Sequence, residues 1–505
     1  MTEAPERYGL MWPGKRAAAR SAQARASTRL IDVPELSVGP GTSDSGGGTG
    51  DGAGDSDGAG DSGGTGNSSG TSESNSTGNT IIVGDNLEVL RLLRDTHAGA
   101  VKLIYIDPPY NTRSDFVYND DFSIGVREFR DRHGPHDPRD GPDSGARLHA
   151  DWLSMMYPRL ILAREVLASD GVGFVSIDGN EVAQLKLMLA EVFGARNVVA
   201  TIVWVSNLKG RQISIGGPAG THEYIVCFAR DAEAIARFRG SGSEFHERMP
   251  AVYRRPGYRV KHDEHGPYVT KNELYNTNSR FNERTAPTLV YRIHFNPTTG
   301  EVRVSDVDDD TEFPGFVTAL PHPNHRDGLR WHAWRWSRAK VLADSDDLEF
   351  EVSGASLRIR TKVRDVDGMT LKDVILGPTT AEGQADLDAL GMRHLFETPK
   401  PVSLLRTLIA VASDDDDLVL DFFAGSGSTA QAVLEQNAAD GARRRFMLVQ
   451  LPEPVSPRSD AARAGFETVA ALTVERVRRA AERVGQNHPT VDCGFRVQRL
   501  ATASE

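Results

Sequence analysis

The sequence predicts an α/β protein, a Rossmann-like doubly wound and mostly parallel sheet, and three observations predict it. From residue 80 onward, apolar runs of strand length alternate with amphipathic runs of helix length. The alternation lapses between about 231 and 390 and then returns, as one sheet interrupted by an insert would require. Two loops of unusual composition, "DPPY" (107–110) and "FAGSG" (423–427), each follow a buried-strand pattern directly. In open α/β sheets ligands bind beyond the carboxyl ends of the strands.

The elements follow in order. "TIIVGDNLEVLRLLRD" (80–95) reads as strand, tight turn and amphipathic helix, and "VKLIYI" (101–106) as the next strand. "WLSMMYPRLILAREVLA" (152–168) has helical spacing, "GVGFVSID" (171–178) is a strand, "EVAQLKLMLAEVF" (181–193) a helix and "NVVATIVWV" (197–205) a strand. Inside the insert, "YRIHFNPTTGEVRVS" (291–305) predicts a hairpin with "NPTTG" as its loop. The α/β texture resumes at "DLVLDFFAGSGSTAQAVLEQ" (417–436) and "RRFMLVQLPE" (444–453). The expected organisation is an N-terminal arm (1–37), a linker (38–79), two halves of one sheet domain (80–230 and 391–470) around an insert (231–390), and a C-terminal helix and tail (471–505).

Composition narrows the classes. Hydrophobic residues make up 39% of the 505, and part of that low value is local. Residues 38–79 contain no aromatic, so they are expected to form a disordered Gly/Ser/Asp linker. "GGTGDG" (47–52) is out of step with the Gly-Gly-x-Gly-x-Asp calcium repeat, and no metal is expected. A net charge of −12 argues against a general nucleic-acid coat but leaves room for a local basic groove. Two cysteines, Cys227 and Cys493, allow neither a disulfide framework nor a cysteine zinc cluster. No apolar run reaches membrane-spanning length and the N-terminus lacks a signal-peptide core, so the expectation is an intracellular, cytoplasmic protein.

The two loops carry the chemistry. Pro108 and Pro109 remove backbone donors and stiffen a segment flanked by an acid and an aromatic. In "DFFAGSGST" (421–429) small residues let a ligand approach the backbone, and Ser428 or Thr429 can cap the following helix. No lysine follows these glycines, which excludes a Walker loop, and the third glycine of the dinucleotide fingerprint is missing.

"DPPYNT" ahead of "DFFAGSGST", with an insert between, resembles the S-adenosylmethionine-dependent amino methyltransferases of DNA in the beta arrangement of motifs. The match is similar to the modification subunits of type III restriction–modification systems. It extends to "YGLMWPGK" (8–15), "VGDNLEVL" (83–90), "WLSMMYPRL", "SIDGNE" (176–181), "FETPKP" (396–401), "LVQLPE" (448–453) and "DCGFRV" (492–497). The resemblance implies that Asp107 and the Pro108 carbonyl accept the hydrogens of an exocyclic amine, that Pro109 keeps the wall rigid, and that Tyr110 stacks on an extruded base. It implies S-adenosyl-L-methionine as cofactor, lying on Phe423, Ala424, Gly425, Ser426 and Gly427. Asp421, Thr429 and Lys400 would stand at its methionine end and Glu453 or Gln450 at its ribose. Asp85 either reads its adenine amine or simply caps the helix that follows.

The insert is the implied target-recognition domain. In "HRDGLRWHAWRWSRAK" (325–340), Arg326, Arg330, Arg335, Arg338 and Lys340 interleave with three tryptophans, as phosphate and guanine contacts or as the rim of a small core. "SRFNERTAP" (279–287) is a second contact candidate, and Asn111 either ties down the catalytic loop or touches DNA. Double-stranded DNA, a second copy of the chain and a restriction subunit are the implied partners. The resembling subunits usually run on past "DCGFRV", which bears on recruitment of the restriction subunit. No helicase or nuclease motif is present, so no cleavage by this chain is expected. The activity expected is methylation of adenine N6. An Asp opening the tetrapeptide favours it over cytosine N4, and the intact motifs weigh against a catalytically inactive DNA-binding regulator.

Overall fold

Ten strands form one sheet: β1 (Thr28–Asp32), β2 (Thr80–Val83), β3 (Val101–Ile106), β4 (Leu167–Ile177), β5 (Val198–Val205), β6 (Glu223–Ala229), β7 (Val374–Leu376), β8 (Leu418–Asp421), β9 (Arg445–Gln450) and β10 (Arg496–Thr502). The structure is a computed structural model that describes residues 9–39, 78–111, 145–210, 218–236, 238–240, 245, 249, 259, 261–278, 280–326, 328–364 and 369–502. The strand order is β1-β10-β2-β9-β8-β3-β4-β6-β5-β7. From β10 to β4 every neighbour is parallel. β6 runs against both β4 and β5, and β1 against β10. This is the doubly wound, mostly parallel sheet that the alternation predicted.

The helices are α1 (Lys15–Gln23), α2 (Asn86–Thr96), α3 (Gly145–Val166), α4 (Val182–Phe193), α5 (Thr380–Ala389), α6 (Val402–Ala412), α7 (Ser428–Asp440) and α8 (Val469–Asn487). Residues of α2, α3 and α4 share one core with β2, β3, β4 and β8, because each presents an apolar stripe to strands that are apolar on both faces. α6 packs on α7, and α7 on α8. α3 ends at Val166 and β4 begins at Leu167, four residues before the predicted strand, because Leu167 pairs with Val101 of β3.

The described residues divide into two compact units, those of 1–240, 247–252 and 370–505, and those of 241–246 and 253–369. Residues 370–390 were expected in the insert. They fall in the sheet unit because β7 extends the sheet in parallel beside β5. The N-terminal arm is likewise part of the sheet unit. Trp12 is buried and its indole N–H donates to Ser154 Oγ at 2.9 Å, α1 packs on α3, and β1 supplies the edge strand.

Of the expected linker 38–79, residues 40–77 lie outside the described residues. Its two flanks meet on "DCGFRV". Val38 N–H donates to Phe495 O at 2.9 Å, and the Asn79 amide donates to Gly494 O at 2.9 Å.

The second unit holds the predicted hairpin, Tyr291–Phe295 against Val302–Asp306, with Asn296 N–H donating to Glu301 O at 2.9 Å across "NPTTG". An antiparallel four-stranded sheet accompanies it, and Leu274, Tyr291, Ile293, Trp334 and Val341 fill the core.

Candidate active site

β3 and β8 are neighbours, with Leu103 opposite Val419 and Ile104 opposite Leu420. Both chemical loops therefore leave adjacent parallel strands at their carboxyl ends and open onto one crevice of about 420 Å³. Asp107, Pro108, Pro109 and Tyr110 line it from the β3 side; Asp421, Phe423, Ala424, Gly425, Ser426 and Thr429 line it from the β8 side. Gln450 and Glu453 enter from the end of β9, and Lys400 from the segment preceding α6.

The catalytic-loop candidate is held by side chains from elsewhere, since its prolines cannot donate. Trp152, fully buried on α3, donates its indole N–H to Pro109 O at 2.7 Å. Asn111 stands at φ 60° and donates to Glu181 Oε1 at 2.6 Å, so the loop exit is anchored to the residue before α4. Of the two readings of Asn111, the structure displays the tie. Lys400 Nζ donates to Asp107 Oδ2 at 2.5 Å and lies 5.1 Å from the centroid of the Tyr110 ring. Asp107 Oδ1 is buried and has no hydrogen-bond partner among the described residues. The Pro108 carbonyl likewise accepts no hydrogen bond from them. Two acceptors of the wall thus have no hydrogen-bond partner among the described residues. Burial, then the Asp107 and Glu223 charges, hold the Tyr110 phenol well above its ordinary range, so it stays a neutral donor.

The glycine turn is held by its own backbone and from behind. Gly427 N–H donates to Ala424 O at 2.8 Å, and Ala424 N–H to Val449 O at 3.1 Å. Gly425, at φ 53°, donates its N–H to Gln450 Oε1 at 2.7 Å. Gln450 thereby braces the turn. Asp421 accepts from Thr429 Oγ1 at 2.6 Å and from Phe423 N–H at 3.0 Å, and burial raises its carboxyl to about 7. Burial also raises Glu453. Behind the turn, buried Arg476 of α8 donates to Ser426 Oγ at 2.6 Å and Ser428 Oγ at 2.7 Å, fixing both hydroxyls.

Two expected cofactor contacts stand outside the crevice. Gly427, at φ 82°, faces α8, where an added Cβ would lie 3.2 Å from Val477 and 3.3 Å from Thr473. Its role is close helix packing and a left-handed N-cap. Asp85 caps α2, accepting from Glu88 N–H at 3.0 Å, with Arg159 at 3.4 Å, and does not line the crevice. The cap reading is the one its geometry displays.

In the second unit, Trp334 is core, donating to Tyr291 O at 2.7 Å. Arg338 and Arg330 pair with Asp306 (2.6 Å) and Asp308 (3.1 Å), Arg335 donates to Tyr275 O (3.2 Å), and Lys340 lies 4.3 Å from the Trp336 ring. The side chain of Arg326 is exposed.

The sequence reading passed over Glu223, Trp152 and Arg476. Only Glu223 left a local signal, an acid opening the otherwise apolar strand "EYIVCFA" (223–229). The donor set fits the implied cofactor: an acid for an ammonium, a lysine for a carboxylate, a half-buried acid for a diol, and a glycine where the chain must run close. Among the described residues no cluster of His, Cys, Asp or Glu could hold a metal ion, and no helix is long and apolar enough to cross a membrane.

A crevice that joins an acid–Pro–Pro–aromatic wall to a glycine turn, beyond the carboxyl ends of adjacent parallel strands, defines the ligand-binding α/β class. Within it, the DNA methylase family model matches residues 101–440, a span holding both loops. The chain belongs to that family. It is 32% identical over 440 residues to the Mod subunit of the StyLTI type III restriction–modification enzyme of Salmonella typhimurium, covering 85% of this chain and 61% of that protein. The Mod subunit of EcoPI from Escherichia phage P1 is 32% identical over 413 residues, 79% of this chain and 61% of the relative. The type II methyltransferase M.KpnI of Klebsiella pneumoniae is 27% identical over 407 residues, 79% and 87% of the two chains. The chain thus spans about three fifths of the length of these type III relatives.

Proposed function

We propose that this protein is a site-specific DNA methyltransferase that moves a methyl group from S-adenosyl-L-methionine to the N6 amine of an adenine turned out of the duplex. The observation that carries the reading is the shared crevice, lined by Asp107 and Pro108 from one strand end and by the glycine turn from the neighbouring one, with Asp107 Oδ1 left without a hydrogen-bond partner among the described residues. The cofactor supplies a sulfonium methyl, an electrophile. An exocyclic amine is a poor nucleophile because its lone pair is delocalised into the ring. Asp107 Oδ1 and Pro108 O each accept one amine hydrogen, which favours a pyramidal nitrogen with a localised lone pair. Lys400 holds Asp107 Oδ2, so the free oxygen keeps its aim. As the N–C bond forms and the S–C bond breaks, the surplus amine proton passes to Asp107 Oδ1 and then to solvent. Tyr110 stacks on the base, worth ~1–3 kcal/mol. Asp421, Thr429, Lys400 and Glu453 hold the cofactor on the turn.

Arg326, Arg330, Arg335, Arg338 and Lys340 are proposed DNA contacts of the second unit. Exchange of an aspartate for a phosphate at Arg330 and Arg338 would give salt-dependent binding. From the relatives' type III setting we further propose duplex DNA, a second copy of the chain and a restriction subunit as partners, and the cytoplasm as location. Single-molecule sequencing of DNA from expressing cells tests the activity. N6-methyladenine at one recurrent sequence is expected, whereas N4-methylcytosine alone overturns the adenine assignment. Titration with S-adenosyl-L-methionine tests the cofactor, and no binding would favour a DNA-binding regulator instead.

A further inference from the structure

We propose that Glu223 is a positioning residue that acts through Tyr110, fixing the tilt of the base-stacking ring. The inference rests on the reading of Tyr110 as that ring. Glu223 opens β6, a strand that runs against its parallel neighbours β4 and β5. That reversal puts its first residue at the sheet end where the parallel strands finish, so a side chain at position 223 lines the same crevice as Asp107. Glu223 is 3% exposed, and an acid is rarely buried without a task for its charge. Its Oε2 accepts the Tyr110 hydroxyl at 3.1 Å, while Ser206 Oγ donates to Oε1 at 3.3 Å.

The geometry divides the labour on Tyr110. The prolines fix the backbone before the ring, and the Asn111 tie fixes the backbone after it. Neither sets rotation of the ring about its own bonds, and aromatic χ2 is a broad torsion. A hydroxyl bound to a buried carboxyl group that is itself held by Ser206 restricts that freedom. The ring face is then set before a base arrives, and ordering it then costs nothing further.

The test is a double-mutant cycle on the full chain, with methylation-free plasmid DNA as substrate and S-adenosyl-L-methionine binding followed separately. Tyr110→Phe keeps the ring and removes the hydroxyl. Glu223→Leu keeps the bulk and removes the acceptor, and Glu223→Gln keeps an acceptor without the charge. Each of the first two is expected to raise KM for DNA about five- to tenfold, the size of one net hydrogen bond, with cofactor affinity unchanged. The double variant is expected to match either single one, and Glu223→Gln to restore most of the loss. Multiplying effects in the double variant, or a fall in cofactor affinity in place of the KM rise, would overturn the assignment. Should Glu223→Leu fail to fold, Glu223→Gln against Tyr110→Phe decides: a Gln variant worse than the Phe variant sinks the idea. Wild-type protein that binds no cofactor and methylates nothing would instead defeat the methyltransferase reading.

Discussion

The two walls of the crevice are stabilised in opposite ways. The Asp107–Tyr110 wall has almost no hydrogen bonds of its own, and it and Asn111 depend on Trp152, Glu181, Lys400 and Glu223, which lie between 43 and 293 positions along the chain from the residues they hold. The 421–429 turn closes on itself and is seated on α8. On the proposed reading, a wall that keeps acceptors for a substrate cannot use them within its own turn. A turn that must let a ligand near its backbone needs small residues and a firm back. Changes to the wall should therefore cost chemistry, and changes to the turn should cost folding and cofactor binding.

The largest expected effect is Asp107→Ala. Removal of the acceptor that meets developing charge should lower kcat by about 10²–10³-fold or more. Calorimetry should find cofactor affinity nearly intact, and joint loss of both would break the division between the walls. Next comes Gly427→Ala. A methyl in the left-handed region, 3.2 Å from Val477, should destabilise the protein by about 1–3 kcal/mol and lower Tm by several degrees. An unchanged Tm would show that the back of the turn is softer than its packing indicates.

The pH dependence is smaller and has a definite sign. Burial pushes the Asp421 carboxyl up to about 7, and the ammonium proposed to lie beside it would favour its ionised form. Binding below that pH must release a proton, so cofactor affinity should fall as pH drops through 7, by up to about tenfold per unit. Asp421→Asn should flatten the profile. The smallest effect is Trp152→Phe, which keeps the bulk but frees the Pro109 carbonyl. A loss of about 1 kcal/mol, near fivefold in kcat, is expected with Tm barely moved.

Much of this was legible in the chain. Alternation gave the sheet, and the two loop motifs marked both walls because prolines and clustered small residues restrict the backbone locally. Insert edges and the arm were less legible. β1 and β7 are short edge strands whose pairing with β10 and β5 has no local signature. Asp85 and Gly427 do not line the crevice, and an N-cap, or a glycine pressed on a helix, has the same local pattern as a ligand contact. Trp152 and Arg476 read as helix positions and nothing more.

By itself the sequence determined the parallel sheet, the rigid acid-bearing wall and the close-approach turn, since each follows from propensities within a few residues. Only the tertiary structure decided that β3 and β8 lie side by side, that Lys400 takes one oxygen of Asp107 and leaves the other without a partner among the described residues, and that Glu223 meets Tyr110. Those facts depend on strand order and on contacts between distant segments, and no local preference encodes them.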